Sequence, residues 1–182
     1  MKYLLFLLLP SSFFFSQNDW TFYESKDKQF KILVPGELRE KIDTFETDLG
    51  ELHYHTLYHQ ATAETGNQVY MLSYCDYPEG SIHSDSTEIL ADFFEETIQT
   101  AKFSINGDLM YKADRNLYSY PGKYWRIDYR DGQAVVKTKA FVVKNRYYAI
   151  QVVATKEKHI NPESERFMES FRLVEESEVG KK

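Results

Sequence analysis

The chain has few of the residues and motifs that most often carry chemistry. Its single cysteine, Cys75, leaves no partner for an intramolecular disulfide, so stability must come from a packed core. A lone thiol of this kind is read first as a small buried strand side chain and only second as a nucleophile. No apolar run reaches the roughly 20 residues that a membrane-spanning helix needs. Basic residues form no long stripe and the formal charge is −6, which argues against nucleic acid as a partner. There is no Gly-x-Ser-x-Gly elbow, no His-Glu-x-x-His pair and no glycine-rich phosphate cradle; the usual signals of hydrolases, zinc proteases and nucleotide binders are missing together. Ser81, His83 and Asp85 alternate along a loop without triad geometry. Glu95-Glu96 falls on the wet side of a predicted helix, where charge is ordinarily just solvated.

What is present starts with residues 1–16, MKYLLFLLLPSSFFFS. One lysine precedes an apolar run and then a serine pair, the pattern of a secretory signal peptide. Cleavage is expected near Ser16-Gln17, although Phe14 departs from the small-residue preference three positions before it. No cysteine lies near the end of the segment, which excludes a lipid-modified anchor. Lys2 is its only charge, so its removal takes the net charge from −6 to −7. The mature protein is therefore expected to be periplasmic or extracellular, without stable membrane insertion.

Aromatic residues make up 16% of the chain and favour half-buried pleated surfaces over helices. Strand candidates run over 20–23, 30–34, 41–47, 51–60, 68–77 and 109–117, separated by polar or Gly/Pro-containing turns. Over 85–101 the period changes: Ile89, Phe93 and Thr97, and Leu90, Phe94 and Ile98, recur every four residues, with Ala101 completing an apolar helical stripe. Asp85 or Ser86 caps it. Pro121-Gly122 fits a type II turn with Gly at positive φ. Asn161-Pro162 starts a second, short helix, with Asn as cap and Pro at the first position. Phe167 and Phe171 are its buried contacts, and Leu173 returns to the sheet. Residues 175–182 are expected to be a disordered tail.

Residues 122–155 carry the strongest pattern, three antiparallel strands and two tight turns. Asp131-Gly132 is a type I′ hairpin signal. It places Trp125, Ile127 and Tyr129 on one face with Thr138, Val136 and Ala134, and Arg126, Asp128 and Arg130 on the other beside Lys137 and Lys139. A second turn at Asn145-Arg146 sets Val143 opposite Tyr148 and Phe141 opposite Ile150. Apolar residues then occupy both sides of the middle strand, and helices are the expected cover for both.

Two constellations are candidates for function. His53 and His55 share one strand face, and a His-x-His pair can reach one zinc or copper ion if a carboxylate or His83 completes the set. His59 is too far, about 20 Å from His53 along a strand. The second is the charged hairpin face. Arg126, Arg130, Lys137 and Lys139 can dock an acidic partner with help from Tyr120 and Tyr124, or can simply pair with acidic neighbours across strands.

Four segments together resemble the PsbP-like superfamily, in its exported and functionally uncharacterised bacterial branch. They are Phe30-Lys31-Ile32-Leu33-Val34-Pro35, Tyr74-Cys75-Asp76-Tyr77-Pro78, Tyr120-Pro121-Gly122-Lys123-Tyr124, and Phe167-Met168-Glu169-Ser170-Phe171-Arg172-Leu173. The resemblance implies an antiparallel sheet with helices on both faces. It supplies no shared catalytic residues and implies no photosystem. The expectation is an α+β protein, a twisted antiparallel sheet in an α/β/α sandwich, with residues 17–174 as one domain. Its expected role is an exported, non-enzymatic binding or assembly module without a cofactor, for a protein or small ligand. The alternatives are a metal-binding protein using His53 and His55 and, third, a hydrolase.

Overall fold

In a computed structural model, residues 20–62 and 66–174 are described. The expected signal peptide and its cleavage site, and the expected tail over 175–182, lie outside them. The chain forms β1 (Thr21–Glu24), β2 (Phe30–Val34), β3 (Arg39–Thr47), β4 (Gly50–Gln60), β5 (Asn67–Asp76), α1 (Thr87–Ser104), β6 (Asp108–Asp114), β7 (Gly122–Tyr129), β8 (Ala134–Val143), β9 (Arg146–Thr155), α2 (Pro162–Glu169) and β10 (Arg172–Leu173). Seven strands form one sheet in the order β3-β4-β5-β9-β8-β7-β6, and β1-β2-β10 form a second, small one. All named strand pairings are antiparallel.

The two helices serve different clusters. α1 buries Leu90, Phe94 and Ile98 among Trp125, Ile127, Ala140, Val142, Tyr147 and Ala149. α2 contributes Phe167 and Met168 to a cluster with Phe141, Tyr148, Ile150 and the small sheet's Phe30 and Ile32. On β8, Ala140 and Val142 therefore belong with α1 while Phe141 between them belongs with α2, as the period-2 alternation of a strand dictates. The start of α2 is as its sequence predicts. The Asn161 side chain accepts from the Ser164 N–H at 2.7 Å, and Pro162 opens the first turn. Leu173 returns to β2, opposite Phe30, rather than to the large sheet.

The first hairpin has the predicted register, with Trp125 opposite Thr138 and Ile127 opposite Val136. The second does not. Its turn is Lys144-Asn145, so Val143 faces Arg146 and Phe141 faces Tyr148. Moving a turn by one residue changes each partner by two, which preserves the faces. The physical reason lies outside the hairpin. Lys144 takes φ 55° and its carbonyl accepts from the Ser84 N–H at 2.8 Å. Asn145 donates to the Tyr77 carbonyl at 2.5 Å and accepts from its N–H at 3.0 Å. Those tertiary bonds fix the turn and leave Arg146 inside β9.

Gly122 also differs from expectation. It is the first residue of β7 and not a positive-φ turn residue; that role falls to Tyr118 at φ 53°, in a turn closed by Leu117 and Tyr120. Close approach is what requires glycine here. A Cβ would come within 2.4 Å of the Ala140 carbonyl oxygen and 2.5 Å of the Arg115 carbonyl oxygen, neither of which is free to swing away. Gly122→Ala should thus cost about 1–3 kcal/mol, measured as a lower urea midpoint. An unchanged midpoint would show that the strand ends are looser than this packing implies.

Candidate functional site

The charged face of the first hairpin is not open. Lys137 and Lys139 are each only 6% exposed, because α2 lies over them. Glu165 and Glu169 are one helical turn apart on α2 and meet the two lysines: Lys137 lies 3.7 Å from Glu165 and Lys139 lies 2.5 Å from Glu169. Further along β7, Arg126 grips Asp128 with two bonds of 2.6 and 2.9 Å and meets His159 at 2.9 Å. Lys156 adds a second cation to Asp128, which is 4% exposed. Arg130 alone of the four predicted basic residues is exposed, at the hairpin turn over the Tyr129 ring. The alternation Lys-x-Lys reads as a wet face only while the acids that cover it, far along the chain, remain unplaced.

What stays accessible is the groove beside this buried face. A cavity of about 420 Å³ lies between the 114–117 loop and the end of α2, floored by Phe141, Met168 and Phe171. An adjoining space of about 320 Å³ reaches Tyr124 and Glu165. Glu169 is the common wall, and three cations converge on it. Lys139 bonds it directly, Arg115 lies 3.5 Å away, and Arg172 also lines the cavity. Burial alone would raise the Glu169 carboxyl, but the Lys139 bond and the charges of Lys139, Arg115 and Arg172 outweigh it and hold it below 4.5. For Lys139 the balance is opposite: burial dominates and pulls the ammonium below its usual range despite Glu169. The groove thus has an apolar floor, with Arg115, Lys139 and Arg172 gathered around Glu169 at its inner wall. Tyr124 stands at its edge with its hydroxyl accepting from Tyr111 at 3.3 Å, and Tyr120 closes the neighbouring turn. Arg115 and Arg172 were not singled out by sequence; each looks like an isolated surface arginine until the loop and the end of α2 meet.

Arg146, predicted as a turn residue, is instead a clamp. Its guanidinium takes both oxygens of Asp76, at 2.5 and 2.6 Å, and one of Asp27 at 2.5 Å, while lying over the Tyr74 ring. It ties the β1–β2 turn to the large sheet, which is structural work.

The histidines do not converge. His53 meets Thr44 at 3.2 Å and Glu51 at 3.1 Å. His55 stacks flat on Tyr74 with ring centroids 4.6 Å apart and faces Glu40 at 3.5 Å. His83 pairs with Asp85 at 3.4 Å beyond the end of β5. Among the described residues no three of His, Cys, Asp and Glu are grouped to hold a metal ion. Cys75 is buried, and burial pushes its thiol up to about 11, away from the thiolate that a nucleophile requires.

No protein-family model matches the chain, and no curated protein does. Among solved structures, cyanobacterial PsbP (CyanoP) from Synechocystis sp. PCC 6803 superposes with a TM-score of 0.58, covering 91% of this chain and 98% of that one. The fold is PsbP-like. Sequence identity is 9%, so the likeness extends to the fold alone. A protein of unknown function from Pseudomonas aeruginosa matches at a TM-score of 0.37, with 10% identity over 76% of this chain and 85% of its own. Within the PsbP-like fold described here, no helix of the described residues is long and apolar enough to cross a membrane.

Acid titration tests the buried pairs. Burial would raise Asp128, but the bonds from Arg126 and Lys156 win and hold it below 3.8; Glu169 is likewise held below 4.5. Both folded values lie under the unfolded ones, so the unfolded chain takes up protons first as pH falls. The stabilisation is complete above about pH 5 and is lost progressively below it. Asp128→Asn should lower stability at pH 7 and flatten the dependence between pH 5 and 3, read from urea midpoints. A variant curve parallel to the parent's would remove Asp128 from the account.

Proposed function

We propose that the protein is an exported, non-enzymatic binding module that takes an extended acidic segment of a partner protein in the groove beside α2. The observation that carries this reading is the composition of that groove. Lys139, Arg115 and Arg172 gather around Glu169, with Asp114 drawn off by Lys123 at the rim, above a floor of Phe141, Met168 and Phe171. A segment with a carboxylate next to an apolar side chain would meet both, bonding the arginines while the apolar group covers the floor. This differs from docking on an open basic hairpin, since Lys137 and Lys139 are already paired. Arg115 and Arg172 are the exposed charges, and Tyr120 and Tyr124 flank them.

Export rests on residues 1–16, whose lysine, apolar run and serine pair fit a cleaved leader. In the same reading, α1 covers one face of the seven-stranded sheet, and α2 with the small sheet covers the other, giving an α/β/α sandwich. The absence of convergent histidines, of a reactive thiol and of a nucleophile motif supports a binding role over metal or hydrolytic chemistry.

An array of short peptides in which Asp or Glu precedes Leu or Phe, each with its Asn or Gln counterpart, tests the reading. Acidic peptides should bind and their amide versions should bind about tenfold more weakly. The double variant Arg115→Ala, Arg172→Ala should erase the difference at an unchanged melting temperature. Equal binding of acid and amide peptides would contradict the proposal.

A further inference from the structure

A second cleft, of about 360 Å³, lies under the C-terminal half of α1, against the cluster opposite in composition to the α2 groove. Five aromatic side chains line it: Tyr54 from β4, Tyr77 just after β5, Phe93 from α1, Trp125 from β7 and Tyr147 from β9. Phe93 links the wall by edge-to-face contacts, 5.5 Å from Tyr77 at 88° and 5.4 Å from Tyr147 at 77°. Glu96 lines the cleft from the exposed side of α1, and no lysine or arginine lines it at all. That is unusual in a chain where 22 residues are Lys or Arg and where the other groove holds three of them.

The ring faces carry negative quadrupole potential, the one formal charge is a carboxylate, and nothing cationic opposes either. Tyr147 is 4% exposed, and burial together with the nearby Tyr54 and Tyr77 raises its phenol well above the ordinary value, so the rings stay neutral donors and do not become anions. Such a cleft attracts a positive charge. It rehydrates a hard one poorly, because a metal ion or a primary ammonium would give up several water bonds for one carboxylate and scattered neutral hydroxyl and amide oxygens. A quaternary ammonium is weakly hydrated and presents methyl groups to the rings, so it loses little on entry. The volume also suits a small molecule, near the lower end of the roughly 300–1,000 Å³ that ligand pockets span. In the same lining, the buried indole N–H of Trp125 has no hydrogen-bond partner, a donor left for a ligand oxygen.

We infer that this cleft binds a quaternary ammonium compound, held by the rings of Tyr54, Tyr77, Phe93, Trp125 and Tyr147 and by the Glu96 carboxylate at its mouth. The inference is independent of the α2 groove and survives or fails without it.

Calorimetric titration of the full chain with choline, and with its neutral isostere 3,3-dimethylbutan-1-ol, tests the charge requirement directly. Choline should bind and the isostere should bind about tenfold more weakly. The Trp125 indole resonance should shift with choline, and with the isostere only at about tenfold higher concentration. Glu96→Gln, on an exposed helix position, should weaken choline at an unchanged melting temperature, and Tyr77→Leu should weaken it without depending on Glu96. Flotation with phosphatidylcholine vesicles separates the sources: binding to choline alone assigns a free solute, and binding to both assigns a lipid headgroup. Equal affinity for choline and the isostere, or no choline binding by the parent chain, would overturn the inference.

Discussion

Lys137 and Lys139 are two residues apart on a strand whose alternate side chains are Val136, Thr138 and Ala140, so one face of β8 brings two ammonium groups into the interior. A buried charge is tolerated only with a partner. α2 supplies both partners at once, because Glu165 and Glu169 are separated by one helical turn and the lysines by one strand repeat. This match fixes where the helix sits along the sheet. Phe167 and Met168 then fall onto the sheet's apolar residues, and the chain after α2 is delivered to β2. Ion pairs of this kind add little net stability, but losing one partner leaves the other exposed to the full cost of burial. They set position more than strength.

Much of this was legible along the chain. The four-residue recurrence of Leu90, Phe94 and Ile98, the Asn161-Pro162 start and the Asp131-Gly132 turn are local signals, and each appears where its own chemistry puts it. The failures share one cause. Lys137 and Lys139 look wet until Glu165 and Glu169 are brought over them. Asn145-Arg146 looks like a turn until Ser84 and Tyr77 claim the residues around it. Gly122 looks like a positive-φ glycine until the Ala140 and Arg115 carbonyls close in. In each case a partner distant in sequence decides, and periodicity carries no information about it. The candidate groove was hidden for the same reason, since Arg115 and Arg172 come from separate segments with no shared pattern.

Two of the concavities among the described residues differ in electrostatic character. The α2 groove gathers cations above an apolar floor, while the α1 cleft gathers aromatic faces and one carboxylate and admits no cation of its own. The reactive groups that a catalyst would use are instead committed to support: Arg146 clamps Asp76 and Asp27, Arg126 holds Asp128, and Cys75 is buried as a thiol.

The central claim is that α2 is positioned by its carboxylates on the β8 lysines. A double-mutant cycle on Lys139→Met and Glu169→Gln, with stabilities from urea unfolding at pH 7, measures this coupling directly. The account predicts a coupling of about 1 kcal/mol or more between the two sites, with Glu169→Gln alone destabilising and the loss relieved once Lys139 is replaced. Additive effects of the two substitutions would contradict it.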